Sequence, residues 1–401
     1  MLLPGFGRYL SSSPVQRDKM TALSSDCVLE LFRQEVENSD DIRLSLRLYK
    51  ACQADQQRFC ADIPYGASRI KECLEDHRLE SKFSSECRVE IENMMKRRAG
   101  NYQLDPELTR ACHADIKQTC IYTMPSENGD DDNDVHNGRV TMCLVDHHEE
   151  LQVQECRDAV HRVMKRASQD MRFDAKLADA CKEDKEQHCK DVDPGSARVI
   201  RCLQDSRTAL SDSCRPVLFD YERTIAEDID FQYPMQQACA QEIKAMCGNV
   251  KSGYARVIRC LHKQVDGDDM GSECRKEVRR NMHHMAQDYR LNVRLKRACS
   301  ADVDVLCPGK CSESEVCEGQ VLNCLQNNME KIRSSDCKDE VFYFVRMEVS
   351  DFQNDVILAE ACKTDVESLC PKVEHGEGRM LDCLRKNRFV LKACIACCCH
   401  Q

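Results

Sequence analysis

The sequence predicts an all-α protein of tandem three-helix repeats, each stapled by disulfides, forming an extended solenoid. Three observations lead there. Of 401 residues, 30 are Cys, a density that indicates a disulfide framework in an oxidising compartment. The cysteines recur at a period of about 60 residues, the mark of a repeat architecture. β-branched alternation is scarce, and the apolar positions between cysteines follow helical spacing.

Composition narrows the class further. There is no Trp, aromatic residues make up 5% and charged residues 32%, so one large core is excluded and several small cross-linked units fit. A net charge of −11 argues against a nucleic-acid partner and favours a basic one. No run of about 20 apolar residues is present to span a membrane. The opening "MLLPGFGRYLSSSPVQRDKM" is broken by Pro4 and Gly5 and does not read as a signal peptide. A lumenal chain without one is expected to be a segment or truncated isoform of a longer protein.

Three blocks make the repeat. The first is Φ-x-x-A-C-x-x-[DE]-x-x-x-x-C, where Φ is apolar. It occurs six times, from "LYKACQADQQRFC" (48–60) to "LAEACKTDVESLC" (358–370). In the first copy Leu48, Cys52, Phe59 and Cys60 share a broad helical face, with Asp55, Gln56 and Arg58 off it. Asp105-Pro106 supplies an N-cap and first-turn pair for the second copy. The second block is Gly-x-x-Arg-x-x-x-Cys-Leu, as in "GASRIKECL" (66–74), "GSARVIRCL" (195–203) and "GYARVIRCL" (253–261). Pro64-Tyr65-Gly66 and Asp193-Pro194-Gly195 break the chain before it. Repeat two keeps Arg139, whereas repeat five has Gln320. The third block, "SSEC" (84–87), "SDSC" (211–214), "GSEC" (271–274) or "SSDC" (334–337), caps a longer helix. Cys27 in "SSDCVLELF" matches this block alone, and the sixth copy does not complete it. The chain therefore divides into an opening segment 1–45, repeats 46–104, 105–173, 174–232, 233–292 and 293–355, and an incomplete repeat with a cysteine-rich tail, 356–401.

Spacing selects a pairing. The first two cysteines of a unit lie about 12 Å apart along a helix, too far to bridge. The second meets the third at the base of a helical hairpin, and the first meets the fourth. The nested pairs expected are Cys52–Cys87 around Cys60–Cys73, Cys112–Cys156 around Cys120–Cys143, Cys181–Cys214 around Cys189–Cys202, Cys239–Cys274 around Cys247–Cys260, and Cys299–Cys337 around Cys307–Cys324. Cys370–Cys383 and Cys362–Cys394 follow in the last unit. Cys311–Cys317 forms an added local bridge, and Cys27 is left free.

No constellation indicates catalysis, a cofactor or a metal. Structural zinc sites use short C-x2–4-C pairs, unlike the spacings here. The tail cysteines Cys394–Cys399 are expected to be an alternative terminus, with metal binding or redox chemistry as the competing reading. The acidic loop 126–135 lacks the glycine and closing glutamate of an EF-hand and is expected to be solvated. The basic stretches 94–98 and 275–280 recur as exposed helix faces. His147-His148 and His283-His284 form no triad, and no P-loop, Rossmann fingerprint or HExxH motif occurs. Asp55 with Arg69, and Asp184 with Arg198, are expected to form ion pairs between helices. No Asn-x-Ser/Thr sequon occurs in the chain.

Over residues 27 to about 390, the three blocks resemble the Golgi cysteine-rich repeat family, whose members are described as cysteine-rich fibroblast growth factor receptors and E-selectin ligands. The resemblance implies lumenal repeats of a Golgi membrane glycoprotein, anchored through a segment not contained in this sequence. It also implies binding of secreted ligands, fibroblast growth factors in particular. The alternative is a structural or chaperone-like Golgi retention protein with no defined growth-factor site.

Overall fold

The computed structural model describes residues 24–123, 138–312 and 316–388. The chain divides into two compact units, Met1–Asp179 and Ala180–Gln401. Among the described residues every regular element is a helix.

The first unit shows the working cycle. A long helix, Ser25–Ser39, leads through a 3-10 turn, Ile42–Leu44, into the hairpin helices Leu46–Phe59 and Arg69–His77. The next long helix, Ser85–Gly100, starts the cycle again. Its boundaries follow from its caps. Ser84 accepts the N–H of Cys87 at the start, and Asn101 follows the end and accepts the N–H of Gln103. The same end-cap recurs at Asp41, Asp170, Asp228, Asp288 and Asp351, each accepting the N–H two residues on. A capping side chain satisfies a donor that the 3-10 turn leaves unpaired. In the second unit the cycle continues through the long helices Cys214–Ile225, Ser272–Gln287 and Ser335–Ser350.

The first-block helix departs from the sequence expectation of one continuous element. It is continuous at Leu46–Phe59 and Val293–Leu306, but interrupted for one residue at Cys112, Cys181, Cys239 and Cys362. There φ is near −100° and ψ is between 5° and 15°. The hydrogen-bond ladder survives the break: Cys112 N–H reaches Leu108 O at 2.9 Å, and Ile116 N–H reaches Cys112 O at 2.8 Å.

The motif glycine opens a left-handed run that its neighbours continue. Gly66, Ala67 and Ser68 have φ of 83°, 53° and 62°, and Gly195, Ser196 and Ala197 have 87°, 52° and 57°. Side chains with a Cβ adopt this region at a cost of roughly 1 kcal/mol each. A tertiary bond compensates: the last residue of the run donates its N–H to the carboxyl end of the preceding long helix. Ser68 N–H reaches Asp40 O at 2.7 Å, Ala255 reaches Glu227 at 2.7 Å, Gly319 reaches Gln287 at 2.9 Å and Gly378 reaches Ser350 at 2.8 Å. Helix ends carry unsatisfied carbonyls, and the loop of the next hairpin satisfies one of them.

The core is aliphatic and sulfurous. In the first repeat Cys52, Leu74, Cys87 and Ile91 are fully buried, and Phe59 stacks between His77 and Phe83. In the second unit one apolar cluster runs through the fourth and fifth repeats, from Ile229 to Met347, with Val278, Val341 and Phe344 fully buried.

Candidate ligand-binding surface

Two kinds of staple frame each repeat. The outer staple joins the first helix of a hairpin to the start of the following long helix: Cys52–Cys87, Cys112–Cys156, Cys181–Cys214, Cys239–Cys274 and Cys299–Cys337, with Cα separations of 4.6 to 4.8 Å. The inner staple closes the hairpin: Cys60–Cys73, Cys120–Cys143, Cys189–Cys202, Cys247–Cys260, Cys307–Cys324 and Cys370–Cys383, at 5.9 to 6.2 Å. The extra pair Cys311–Cys317 bridges the fifth hairpin loop. Cys27 is free and exposed. Cys362 is disulfide-bonded, and Cys394, the partner expected for it, lies outside the described residues, as do the rest of the tail and the acidic loop 126–135.

The motif acid and the motif arginine do not pair, contrary to the sequence expectation. Asp55 is buried and accepts both the N–H (3.1 Å) and the hydroxyl of Ser84. Asp184 accepts the N–H and hydroxyl of Ser211 at 2.7 and 2.6 Å. Asp115 accepts the N–H groups of Gln152 and Val153, Asp302 those of Arg333 and Ser334, and Glu242 that of Gly271. In each case the carboxylate sits at the amino end of a long helix, where unpaired N–H groups and the helix dipole favour a negative charge. The acid therefore latches the same two helices that the outer staple bonds.

The arginine serves its own loop. Arg69 donates to Pro64 O (3.2 Å) and Tyr65 O (2.7 Å), and Arg198 to Pro194 O (2.9 Å) and Gly195 O (3.3 Å). Arg256 and Arg379 repeat the pattern on Lys251 and Ser252, and on Glu374 and His375. A guanidinium fork spans two successive carbonyls, which an ammonium does poorly.

Several arginines of the basic stretches are likewise committed. Within 94–98, Met94 and Met95 are buried, and so is Arg98, which pairs with Glu75 and donates to Ser68 at 2.6 Å. The expectation of an exposed face holds for Lys96 and Arg97 and fails for Arg98, because residues distant in sequence supply its partners. Arg166 joins the same network, bonding Glu75 at 3.1 Å and Asp105 at 2.6 Å. Burial pushes the Asp105 carboxyl up, but Arg166 and Arg98 outweigh it and hold the group at about 2. Within 275–280, Arg275 donates to Val265 O and Gly267 O, Arg279 pairs with Asp266 and Arg280 with Asp205.

Other buried ionisable groups mark structure rather than chemistry. Burial, reinforced by Glu107 and Glu75, raises Glu72 to about 7. Burial raises Glu348 to about 7 against the Gln326 amide bonded to it. Burial lowers Lys71 to about 8, with its ammonium on the Asn38 and Ser39 carbonyls at 2.8 and 2.9 Å. Burial lowers His262 to about 4 and His284 to about 3. His283 faces the Gln353 carbonyl at 2.8 Å. Asp288 lies close to the sulfurs of Cys311 and Cys317, but those sulfurs are bonded to each other and offer no thiolate.

What remains for recognition is the surface that varies. The residue after the motif glycine is Ala67, Ser196, Tyr254 or Glu377, and Glu318 takes the same place after Cys317 in the fifth repeat, each in left-handed conformation. All but Ala67 are exposed, and Tyr254 carries Arg256 and Arg297 over its ring at 5.3 and 4.3 Å. Sequence reasoning missed this position because nothing in Ala, Ser, Tyr or Glu announces a positive φ.

Comparison with known proteins adds a frame. The model of the cysteine rich repeat family, named for the cysteine-rich fibroblast growth factor receptor, matches residues 25–82, 85–152, 154–211, 212–269, 272–333 and 335–392. Its units begin near the start of a long helix, whereas the divisions from the sequence begin at the first hairpin helix, so the two frames cut one cycle at different points. The chain is 24% identical over 396 residues to Golgi apparatus protein 1 of Gallus gallus, covering 94% of this chain and 34% of that protein. It is 26% identical over 375 residues to the Homo sapiens protein, covering 88% and 30%. A Caenorhabditis elegans Golgi apparatus protein 1 homolog is 22% identical over 480 residues, covering 95% and 41%. The chain spans about a third of the length of the vertebrate relatives it matches. No solved structure matches it.

Proposed function

The chain belongs to the cysteine rich repeat family, and from that premise we propose that it is a non-catalytic binding protein on the lumenal side of the Golgi membrane and in the secretory pathway. Its ligands on this reading are secreted proteins of the basic fibroblast growth factor class. One observation carries the reading. The shared residues of each repeat are committed to staples, latches and loop clasps, while the position after the motif glycine, exposed at Ser196, Tyr254 and Glu377 and at Glu318 in the fifth repeat, changes from repeat to repeat. Such a scaffold suits recognition by repeated modules, in which shared residues hold the frame and variable ones meet the partner. The charge of −11 favours a basic partner and speeds encounter with it. No described helix is long and apolar enough to cross a membrane.

The test is surface plasmon resonance with the oxidised chain immobilised and a basic fibroblast growth factor in solution. Saturable binding that weakens as salt rises is the expected result. Absence of saturable binding overturns the proposal and leaves a structural role in retaining lumenal proteins.

A further inference from the structure

The hairpin loops of the third, fourth and sixth repeats are three versions of one device. In each, the motif arginine clasps two loop carbonyls. Two flanking positions differ: the second residue before the motif glycine and the residue after it. They are Asp193 and Ser196 in the third loop, Glu374 and Glu377 in the sixth, and Lys251 and Tyr254 in the fourth.

The difference decides what the arginine meets besides the carbonyls. Arg198 lies 3.7 Å from the Asp193 carboxylate. Arg379 pairs with Glu374 at 3.8 Å and with Glu377. The fourth loop reverses the charge at the first position and places a ring at the second. Among the described residues no ion pair reaches Lys251 or Arg256. Tyr254 instead packs its ring against Arg256 and against Arg297 of the next repeat, at 5.3 and 4.3 Å. Asp228, whose carboxylate lies beside Gly253, is 7% exposed. It already accepts the Ser252 hydroxyl at 2.5 Å and the Asp230 N–H at 3.0 Å.

The face is held in place from behind. Ala255 N–H on Glu227 O at 2.7 Å fixes the loop while Tyr254 keeps a φ of 53°. Lys251 is exposed and Tyr254 is 49% exposed. On a chain of net charge −11, the fourth loop is thus a cationic island with an aromatic centre. Tyr and Arg are the side chains that most often anchor protein interfaces, and ring–guanidinium packing orders them before a partner arrives.

We propose that loop 248–256 binds an acidic peptide segment of another protein. The sister loops define the occupant: carboxylates carried on a polypeptide, set beside the motif arginine as Asp193, Glu374 and Glu377 are. In the fourth loop the chain supplies no such group and offers Lys251 to meet one. This ligand lies beyond a basic growth factor, which a cationic loop repels, so the two readings stand or fall separately.

The probe is a fluorescein-labelled peptide of alternating Asp and Glu, titrated with the intact oxidised chain and followed by fluorescence anisotropy. Saturable binding that weakens as salt rises is the expected result. Lys251→Asp gives the fourth loop the third loop's own carboxylate and should weaken the peptide about tenfold or more. Tyr254→Ser should weaken it less. Lys251 is exposed, so its variant keeps the wild-type melting curve. The same charge change at exposed Lys363 should leave the affinity unaltered. Absence of saturable binding overturns the proposal, as does an equal loss from Lys363→Asp. Heparin that binds this loop more tightly than the peptide overturns it in favour of a sulfated glycan.

Discussion

The hairpins of the third and fifth repeats meet one requirement with different chemistry. Each must hold an irregular loop against the start of its second helix. In the third repeat the staple Cys189–Cys202 closes a separation of 13 residues, and Arg198 clasps the carbonyls of Pro194 and Gly195. In the fifth repeat the separation grows to 17 and Gln320 stands where the arginine would be. There Cys311–Cys317 bridges the loop. The Cys317 N–H donates to Asp288 at 2.9 Å, and Arg290, paired with Asp288, reaches Ser312 O at 2.9 Å. A covalent bridge and the Arg290 bond to the loop thus stand in for the motif arginine, although the turn before the third hairpin also keeps the counterpart of Arg290, Arg172 on Asp170. The comparison teaches that this arginine is a loop clasp, dispensable where another device restrains the loop.

The largest expected effect comes from the inner staple of the third repeat. Cys189→Ser with Cys202→Ser should destabilise the chain by about 3 kcal/mol, against about 2 kcal/mol for Cys311→Ser with Cys317→Ser, because a shorter closed loop restrains the unfolded chain less. Denaturant midpoints measure both. Equal losses would mean that the fifth loop depends on its bridge as fully as the third depends on its hairpin staple.

Next comes a carboxylate contrast on the long helices. In the third repeat buried Glu222 is matched by Arg207. In the fifth, Glu348 has only the Gln326 amide, at 2.8 and 2.9 Å. The folded pKa of Glu348, about 7, lies above its ordinary value of 4.5. The folded state therefore binds the proton more tightly, and ionisation penalises it progressively as pH rises from 4.5 through 7. Glu348→Gln should raise stability above pH 7 by about 1 kcal/mol, a figure reduced for the partial exposure of the group, and leave it nearly unchanged near pH 4.5. Melting temperatures across that window check the sign.

The smallest effect is expected at the clasp. Arg198→Ala should cost about 1 kcal/mol or less, since its hydrogen bonds lie at an exposed site. It should also speed hydrogen exchange in the loop 190–197, which peptide-resolved exchange would show. Arg198→Lys should rescue little, because one ammonium cannot span both carbonyls as the fork does.

The helical class and the repeat were legible because cysteine spacing and helical period are both local signals. The partners of the acid and the arginine were not. Asp55 had two plausible donors, the Arg69 guanidinium and the unpaired N–H groups of a helix start almost 30 residues away. Only the fold shows that the helix start wins. The Glu75 network was hidden for the same reason, its partners Arg98 and Arg166 lying 23 and 91 residues off. Ala67 and Ser68 carry no sequence sign of left-handed backbone, because the stabilising bond comes from the preceding long helix.

The outer staples also define a second path through the molecule, one that follows covalent bonds and takes the shortcut at each bridge. They bypass 35, 44, 33, 35 and 38 positions in turn, while the link from one staple to the next stays at 25 positions, as from Cys87 to Cys112 (112 − 87). Insertions in a hairpin therefore add nothing to the length of this path. A tether pulled from its ends can pay out no more than about 85 Å of extended chain per link. The oxidised protein behaves as a cable of limited stretch, and reduction would release the slack held inside every loop.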